Sequence, residues 1–338
     1  MKSVIFISAF FVLSISFHFS ASAQIVTSQT RTDGWTLPVG ELKVKLYGAD
    51  HNASSFYNVT GGLIDRFRDA PDSESVRQSI VREYTVDFTG YTGGMYAEYG
   101  LLKNLTMMLD VPVTRWNLHE RYAFDSTYEI TQGDDKDTVS QFIRRDRAQL
   151  NRFQPNYYSI GGRYALTTGN NLVGLSGTVR IPPGFKNKVT ADSTGEFIED
   201  EFYEGLLGLN LGIAFNKAWL ASNITYNMRG GEYNDDMQYY LEFGSKNVET
   251  TQFILFTKYV QSLGSFQNTS NFDPRRRRFQ ENYFLVGGVF EIEFQKQLSL
   301  SAGYDIRLAG KNTWALSAFS IGAGWRFSPD PKKQPSGF

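Results

Sequence analysis

The sequence predicts an all-β chain: an antiparallel transmembrane β-barrel of about twelve strands, with short turns at one end and long loops at the other. Three observations predict it. Apolar and polar residues alternate with period two in segment after segment. The connections alternate in length. The alternation also keeps its facing across the turns, as paired strands require.

The alternation is clearest near the end of the chain. Over residues 298–308 the even positions Leu298, Leu300, Ala302, Tyr304, Ile306 and Leu308 are apolar, and the odd ones are polar or glycine. In 313–327 the apolar phase is odd, with Phe319, Ile321, Ala323, Trp325 and Phe327. Segments 172–182 and 218–229 read the same way, as do 41–48, 104–116, 156–167, 204–215, 235–245 and 281–294. Segment 84–100 changes phase around Thr89 and Gly90, which predicts a bulge there. Segment 250–263 is apolar on both phases, so its faces stay unassigned.

The connections run 49–83, 101–103, 117–155, 168–171, 183–203, 216–217, 230–234, 246–249, 264–280, 295–297 and 309–312. Every second one is a tight turn, the asymmetry of barrels with short periplasmic turns and long extracellular loops. Across 216–217 a tight hairpin pairs Phe215 with Ala218, so odd positions of one strand face even ones of the next. The turns at 101–103, 168–171 and 295–297 and the loop 309–312 also keep like faces together. Aromatic residues at apolar-phase strand ends near the short turns (Tyr164, Phe243, Phe253, Phe294, Trp325, Phe327) form an interfacial girdle. Trp219 falls on the polar phase and breaks this pattern.

The N-terminus sets the compartment. Lys2, the apolar run Val4 to Phe19 and the small residues Ala21-Ser22-Ala23 read as a cleaved signal peptide, residues 1–23. The apolar run is shorter than the ~20 residues a spanning helix needs. Residues 24–40 then form a periplasmic N-terminal segment, 41–327 the barrel and 328–338 a disordered periplasmic tail with three prolines. Without residues 1–23 the chain carries 33 Lys+Arg against 35 Asp+Glu, which excludes the basic excess of a nucleic-acid binder. There is no cysteine, and only His51 and His119 remain after processing, so no metal site or cofactor is expected.

The last strand resembles the assembly signal of outer-membrane barrels. Ser320, Gly322, Trp325 and Phe327 match its polar-x-Gly-x-x-aromatic-x-aromatic pattern, which implies the barrel-assembly machinery as a partner. The signal ends most such chains, whereas here the tail follows.

A second resemblance covers most of the processed chain. Tyr96-Ala97-Glu98-Tyr99-Gly100-Leu101, Asn104-Leu105, Asp110-Val111-Pro112, Gly162-Arg163-Tyr164-Ala165-Leu166 and Val179-Arg180-Ile181-Pro182-Pro183-Gly184 carry it. They are similar to the outer-membrane transporters associated with the meta-pathway of phenol degradation, distant relatives of the long-chain fatty acid channels. The resemblance implies an outer-membrane location and uptake of small hydrophobic or aromatic solutes. A hatch domain of the fatty acid channel kind is not expected, because residues 24–40 are too short for one.

Polar-phase charges should line the lumen: Lys43, Lys45, Arg163, Arg180, Arg229, Glu242, Glu291, Glu293, Asp305 and Arg307, with Asp110 and Arg326. Either they select solutes or they pair and fill the barrel; twelve strands lie between filled and open barrels. Their distribution predicts a basic wall facing an acidic one. At the rim, Glu41 is placed to pair with Arg326 across the closing seam. Arg275, Arg276, Arg277 and Arg278 in the 264–280 loop are candidates to clamp lipopolysaccharide phosphates, or form a solvated charge run. A structural or adhesive barrel fits the same fold. So does an outer-membrane hydrolase: His119 beside Glu120 for a phospholipase-like site, or Asp134-Asp135 and Asp50-His51 for a protease-like one. Neither pattern supplies a positioned nucleophile and base, so the chain reads as a non-enzyme.

Overall fold

The computed structural model describes residues 35–57, 63–64, 70–71, 78–132, 135–150, 154–155, 157–167, 169–183, 203–215, 217–230, 234–248, 250–264, 281–294, 297–311 and 313–328. The expected signal segment, residues 24–34, the four consecutive arginines from Arg275 to Arg278, Asp134 and residues 329–338 lie outside them.

Twelve long strands form the wall. They are β1 Leu42–Ala53, β2 Gln78–Leu102, β3 Leu105–Gln132, β4 Tyr158–Ala165, β5 Asn171–Ile181 and β6 Glu204–Ala214, followed by β7 Ala218–Arg229, β8 Asp236–Val248, β9 Thr251–Ser262, β10 Asn282–Phe294, β11 Leu298–Lys311 and β12 Ser317–Phe327. Each pairs antiparallel with the next, and β1 pairs with both β2 and β12, which closes the barrel. No helix occurs among the described residues. Closure is what allows a sheet to satisfy every backbone group in lipid.

The register follows the parity read from the turns: Glu204 faces Arg229 and Leu209 faces Ile224, so Phe215 and Ala218 meet at the hairpin. The alternation sorts cleanly by burial. Leu175, Leu207, Leu209, Leu211, Leu241 and Leu255 are exposed, while Thr106, Asn210, Asn227 and Glu242 are buried. A soluble barrel has the opposite sense. Here the apolar side chains stand outward, as hydrocarbon demands, and the polar ones converge inward. Tyr164, Phe243, Phe253, Phe294 and Phe327 are exposed around the short-turn end. At the other end the rings of Tyr239 and Tyr259 stack at 6.0 Å, both exposed.

Lipid exposure has a measurable consequence. Leu209, midway along β6, pairs with Leu175 and Ile224, both on the outer face. Leu209→Arg is expected to lower the folding free energy in lipid vesicles by about 2–4 kcal/mol, and Leu209→Phe to change it little. Equal effects would place this face against protein or water.

Three expectations on the strands need correction. No bulge occurs at Thr89–Gly90: the β1–β2 and β2–β3 ladders run through it, and the register shifts fall at Val81/Glu83 and Gly100/Leu102. From Phe88 to Gly100 the even positions of β2 stay inward, and Phe88 is buried there. What changes near Thr89 is the surroundings, because the strand leaves the lipid-matched part of the wall. Within the expected loops 49–83 and 117–155 most of the described residues are also sheet. β1 reaches Ala53, β2 begins at Gln78, β3 reaches Gln132, and Asp135–Leu150 pairs along β3. Beyond the bilayer neither face has to be apolar, so the period-two signal fades although the ladder continues. Residues 313–314 belong to a small separate sheet with 56–57 and 63–64, not to β12.

Candidate functional site

The inward face has two chemically different walls. On β1 to β6 it is polar and charged. Arg163 Nη2 donates to Glu98 Oε1 at 2.6 Å, and the Tyr96 hydroxyl donates to the same oxygen at 2.5 Å. The Tyr47 hydroxyl donates to Asp110 Oδ1 at 2.9 Å. Arg180 Nη1 lies 2.8 Å from Glu204 Oε2, with its guanidinium over the Tyr157 ring at 4.8 Å. Arg229 meets Glu204 at 3.1 Å and Asp236 at 3.9 Å, and Asp236 also accepts from Asn227 and Gln238. This ladder closes the long-loop ends of β5 to β8. Beside it, Tyr226 of β7 donates its hydroxyl to Asp235, which lies just ahead of β8, and holds that carboxyl below the usual carboxylate range.

On β7 to β10 the inward face carries an apolar patch set among polar side chains, with Glu242, Gln252 and Lys258 buried beside it. Trp219, Ala221, Tyr240, Ile254, Phe256, Val260, Tyr283, Leu285 and Val289 form one buried cluster. This explains β9, whose two faces both read as apolar: Phe253, Leu255 and Tyr259 stand outward, and Ile254, Phe256 and Val260 stand inward. It explains Trp219 too. Its indole lies flat on Gly244, where any side chain would overlap the ring, and its Nε1 donates to Glu242 Oε1 at 2.6 Å. Phe256 lies on Gly287 in the same way, and Tyr47 on Gly94 of the polar wall. Glycine lets large rings lie along the wall instead of projecting across the lumen.

The sequence-derived candidates fall as follows. Lys45 is buried on β1 over Gly322, and Lys43 is half-buried nearer the short-turn end. Glu242 is fully buried and also accepts from the Tyr240 hydroxyl at 2.9 Å. Glu293 meets Lys246 at 3.3 Å. Glu291 shares its inward row with Gln252 and Ser301. Asp305 stands beside Gly287. Arg307 lies over the Tyr283 ring at 4.0 Å, 4.0 Å from Glu281, and donates to Thr313. Glu41 meets Arg326 at 3.0 Å across the closing seam. The expected basic wall is absent as a one-signed surface, because Arg163, Arg180 and Arg229 each face a carboxylate. The contrast across the lumen is between a polar wall and one that carries an apolar patch. Glu98, Glu204, Asp236 and Lys246 complete these pairs. All four sit on polar-phase positions, but which strand they reach is invisible in sequence.

The residues ahead of β1 add an element that their pattern does not reveal. Starting from Glu41, the chain doubles back along the short-turn mouth. Gly40 adopts φ 79° and donates its N–H to Gly100 O at 2.7 Å. A side chain on Gly100 would run into the Pro38 carbonyl. Leu37 N–H donates to Thr106 Oγ1 at 2.7 Å, and the Thr36 hydroxyl to Lys103 O at 3.3 Å. Trp35 Nε1 reaches Gly169 O at 2.9 Å in the β4–β5 turn, with its ring against Gly212 of β6 and the apolar cluster. Residues 35–40 are thus a strap from β1 past five strands to the far wall.

Of the enzyme-like patterns, Asp50-His51 is not a dyad: the two residues alternate on β1, with His51 turned inward and Asp50 outward. His119 lies in the long-loop extension, with Asp87 and Ala148 as its backbone partners. Among the described residues no group of three His, Asp or Glu is placed to hold a metal. Ser320 and Gly322 face inward on β12, and Trp325 and Phe327 face outward at the short-turn rim.

No protein-family model and no curated protein sequence matches this chain. Solved structures do. An outer membrane channel from Pseudomonas putida F1 superposes with a TM-score of 0.53 at 12% identity, covering 88% of this chain and 99% of that one. A mutant of the TodX monoaromatic hydrocarbon channel gives 0.40 at 12% identity, covering 92% and 96%. A FadL homologue from Pseudomonas aeruginosa gives 0.38 at 11% identity, covering 86% and 90%. The first of these shares the fold.

Proposed function

We propose that this chain is an outer-membrane channel that passes small hydrophobic or aromatic solutes. The observation that carries the reading is the buried apolar patch on the inner face of β7 to β10 inside a closed barrel. A water-filled pore has no use for Ile254, Phe256 and Leu285 on its inner face, and an apolar solute does. On the wall opposite, Arg163, Arg180 and Arg229 are matched by carboxylates, which reduces the field they offer to ions. The names of the solved barrels, which include an outer membrane channel and a monoaromatic hydrocarbon channel, agree with this reading. So does the resemblance to transporters of phenol-degrading pathways.

In the same reading, residues 1–23 are cleaved on export, the short turns and strap face the periplasm, and the long loops face outward. Ser320, Gly322, Trp325 and Phe327 are then read by the assembly machinery, and Arg275, Arg276, Arg277 and Arg278 meet lipopolysaccharide phosphates.

The test is influx of toluene into vesicles whose outer leaflet is lipopolysaccharide. The barrel should accelerate influx, and Ile254→Lys with Phe256→Lys should abolish the gain while leaving the barrel folded. Influx equal to that of barrel-free vesicles would leave a structural, adhesive or hydrolytic barrel.

A further inference from the structure

Near the long-loop end of β1 the inner wall holds two polar side chains with nothing to bond. His51 is 1% exposed, and neither ring nitrogen has a hydrogen-bond partner among the described residues. Thr92 on β2 is also 1% exposed, and its hydroxyl has none either. The register makes them neighbours. His51 pairs with Gly90 and Ala49 pairs with Thr92, so the two lie diagonally adjacent on one face. The positions paired with them on β1, β2 and β12 are small (Gly90, Ala49, Ala318 and Ser320), and the buried Phe88 and Thr114 border the niche. A buried polar group without a partner costs about 1–3 kcal/mol, and two adjacent side chains in which no polar atom is bonded call for a missing partner.

We infer that His51 and Thr92 form a hydroxyl-binding subsite, where a neutral apolar solute bearing an alcohol group is held by that group on its way through the lumen. The inference rests on the channel reading and narrows its solutes. A neutral imidazole offers one donor and one acceptor, and a threonine hydroxyl offers both. The group that complements such a pair is compact, uncharged, and itself both donor and acceptor. A hydroxyl meets that description; a hydrocarbon leaves both residues unsatisfied, and a carboxylate supplies no donor. The solute's body has somewhere to lie, because the cluster of β7 to β10 stands on the opposite wall. Entry is from the long-loop end. The chain leaving β1 runs there into two-residue strands at 56–57, 63–64 and 313–314, with the Tyr57 hydroxyl on the Arg307 carbonyl at 3.3 Å.

The experiment uses the processed protein in detergent micelles with 15N-labelled histidine, whose two histidines, His51 and His119, are told apart by His51→Gln. Cyclohexanol is the probe, and methylcyclohexane is its control of like shape without the hydroxyl. Cyclohexanol should shift the His51 ring nitrogens saturably and leave His119 unmoved, and methylcyclohexane should move neither. Thr92→Val, close in shape, should weaken cyclohexanol roughly tenfold, the worth of one hydrogen bond. Equal shifts from both probes would overturn the inference, as would no shift from cyclohexanol, which would mean that the niche holds ordered water only. Toluene influx with a silent His51 would remove the subsite alone. Cyclohexanol binding without influx would keep the subsite and remove the channel.

Discussion

Freeing the strap is expected to raise the ion conductance of the reconstituted barrel severalfold. Residues 35–40 lie along the short-turn mouth, and their anchors are few: the Trp35 ring on Gly212, the buried Leu37, and hydrogen bonds to Gly100, Lys103, Thr106 and Gly169. Ordering six residues costs about 6–12 kcal/mol at ~1–2 per residue. Two apolar anchors return about 3–6 kcal/mol. Four or five hydrogen bonds at ~1 kcal/mol each supply the rest. Gain and cost are of the same size, so the closed position holds by a small margin and losing one anchor tips it. Trp35→Ala with Leu37→Ser removes both apolar anchors, whereas Trp35→Phe keeps a ring on Gly212. Single-channel recording in planar bilayers should show larger and longer openings for the double variant and parent-like traces for Trp35→Phe. Identical traces for all three would mean that the strap edges the mouth without restricting it.

The strap shows what the sequence could not disclose. Lipid imposes period two on every strand it touches, and this made the twelve strands, their parity and the exposed girdle of Phe243, Phe253 and Phe294 readable. No such rule acts on residues 35–40, where only a tryptophan, a proline and a glycine hint at a defined path. The same limit applies where β2 and β3 rise out of the bilayer: the ladder continues, but the pattern that betrays it does not. Inside the barrel the polar phase marked which residues face inward, Arg163 and Glu242 among them. It could not say which of them meet. Arg163 on β4 reaches Glu98 on β2 across the width of β3, and Lys246 on β8 reaches Glu293 on β10 across β9. Such next-nearest contacts depend on strand stagger, which sequence parity leaves open. The apolar wall was hidden for a different reason. With apolar residues on both faces of β9, and Trp219 on the polar phase, the two-faced rule fails where the lumen itself is apolar.

Arg163 offers the second large effect, and it separates two meanings of a lumenal charge. Its side chain is 5% exposed and that of Glu98 2%, so the pair is shielded from water although it faces the lumen. Breaking a buried pair by removing one partner typically costs about 3–5 kcal/mol, because the other charge stays behind uncompensated. Arg163→Met should therefore destabilise the barrel by about that amount in urea unfolding from lipid vesicles. Adding Glu98→Gln should recover most of the loss, since the amide keeps the bond from Tyr96 without burying a charge. The reversal potential in a salt gradient should move little in the double variant, because a matched pair contributes almost no net field to a passing ion. A selectivity filter behaves the other way: its charge is hydrated, its loss barely affects folding, and the reversal potential swings. If Arg163→Met left stability intact and changed selectivity, the Arg163–Glu98 pair would be open to water, and the matched polar wall would be a working filter after all.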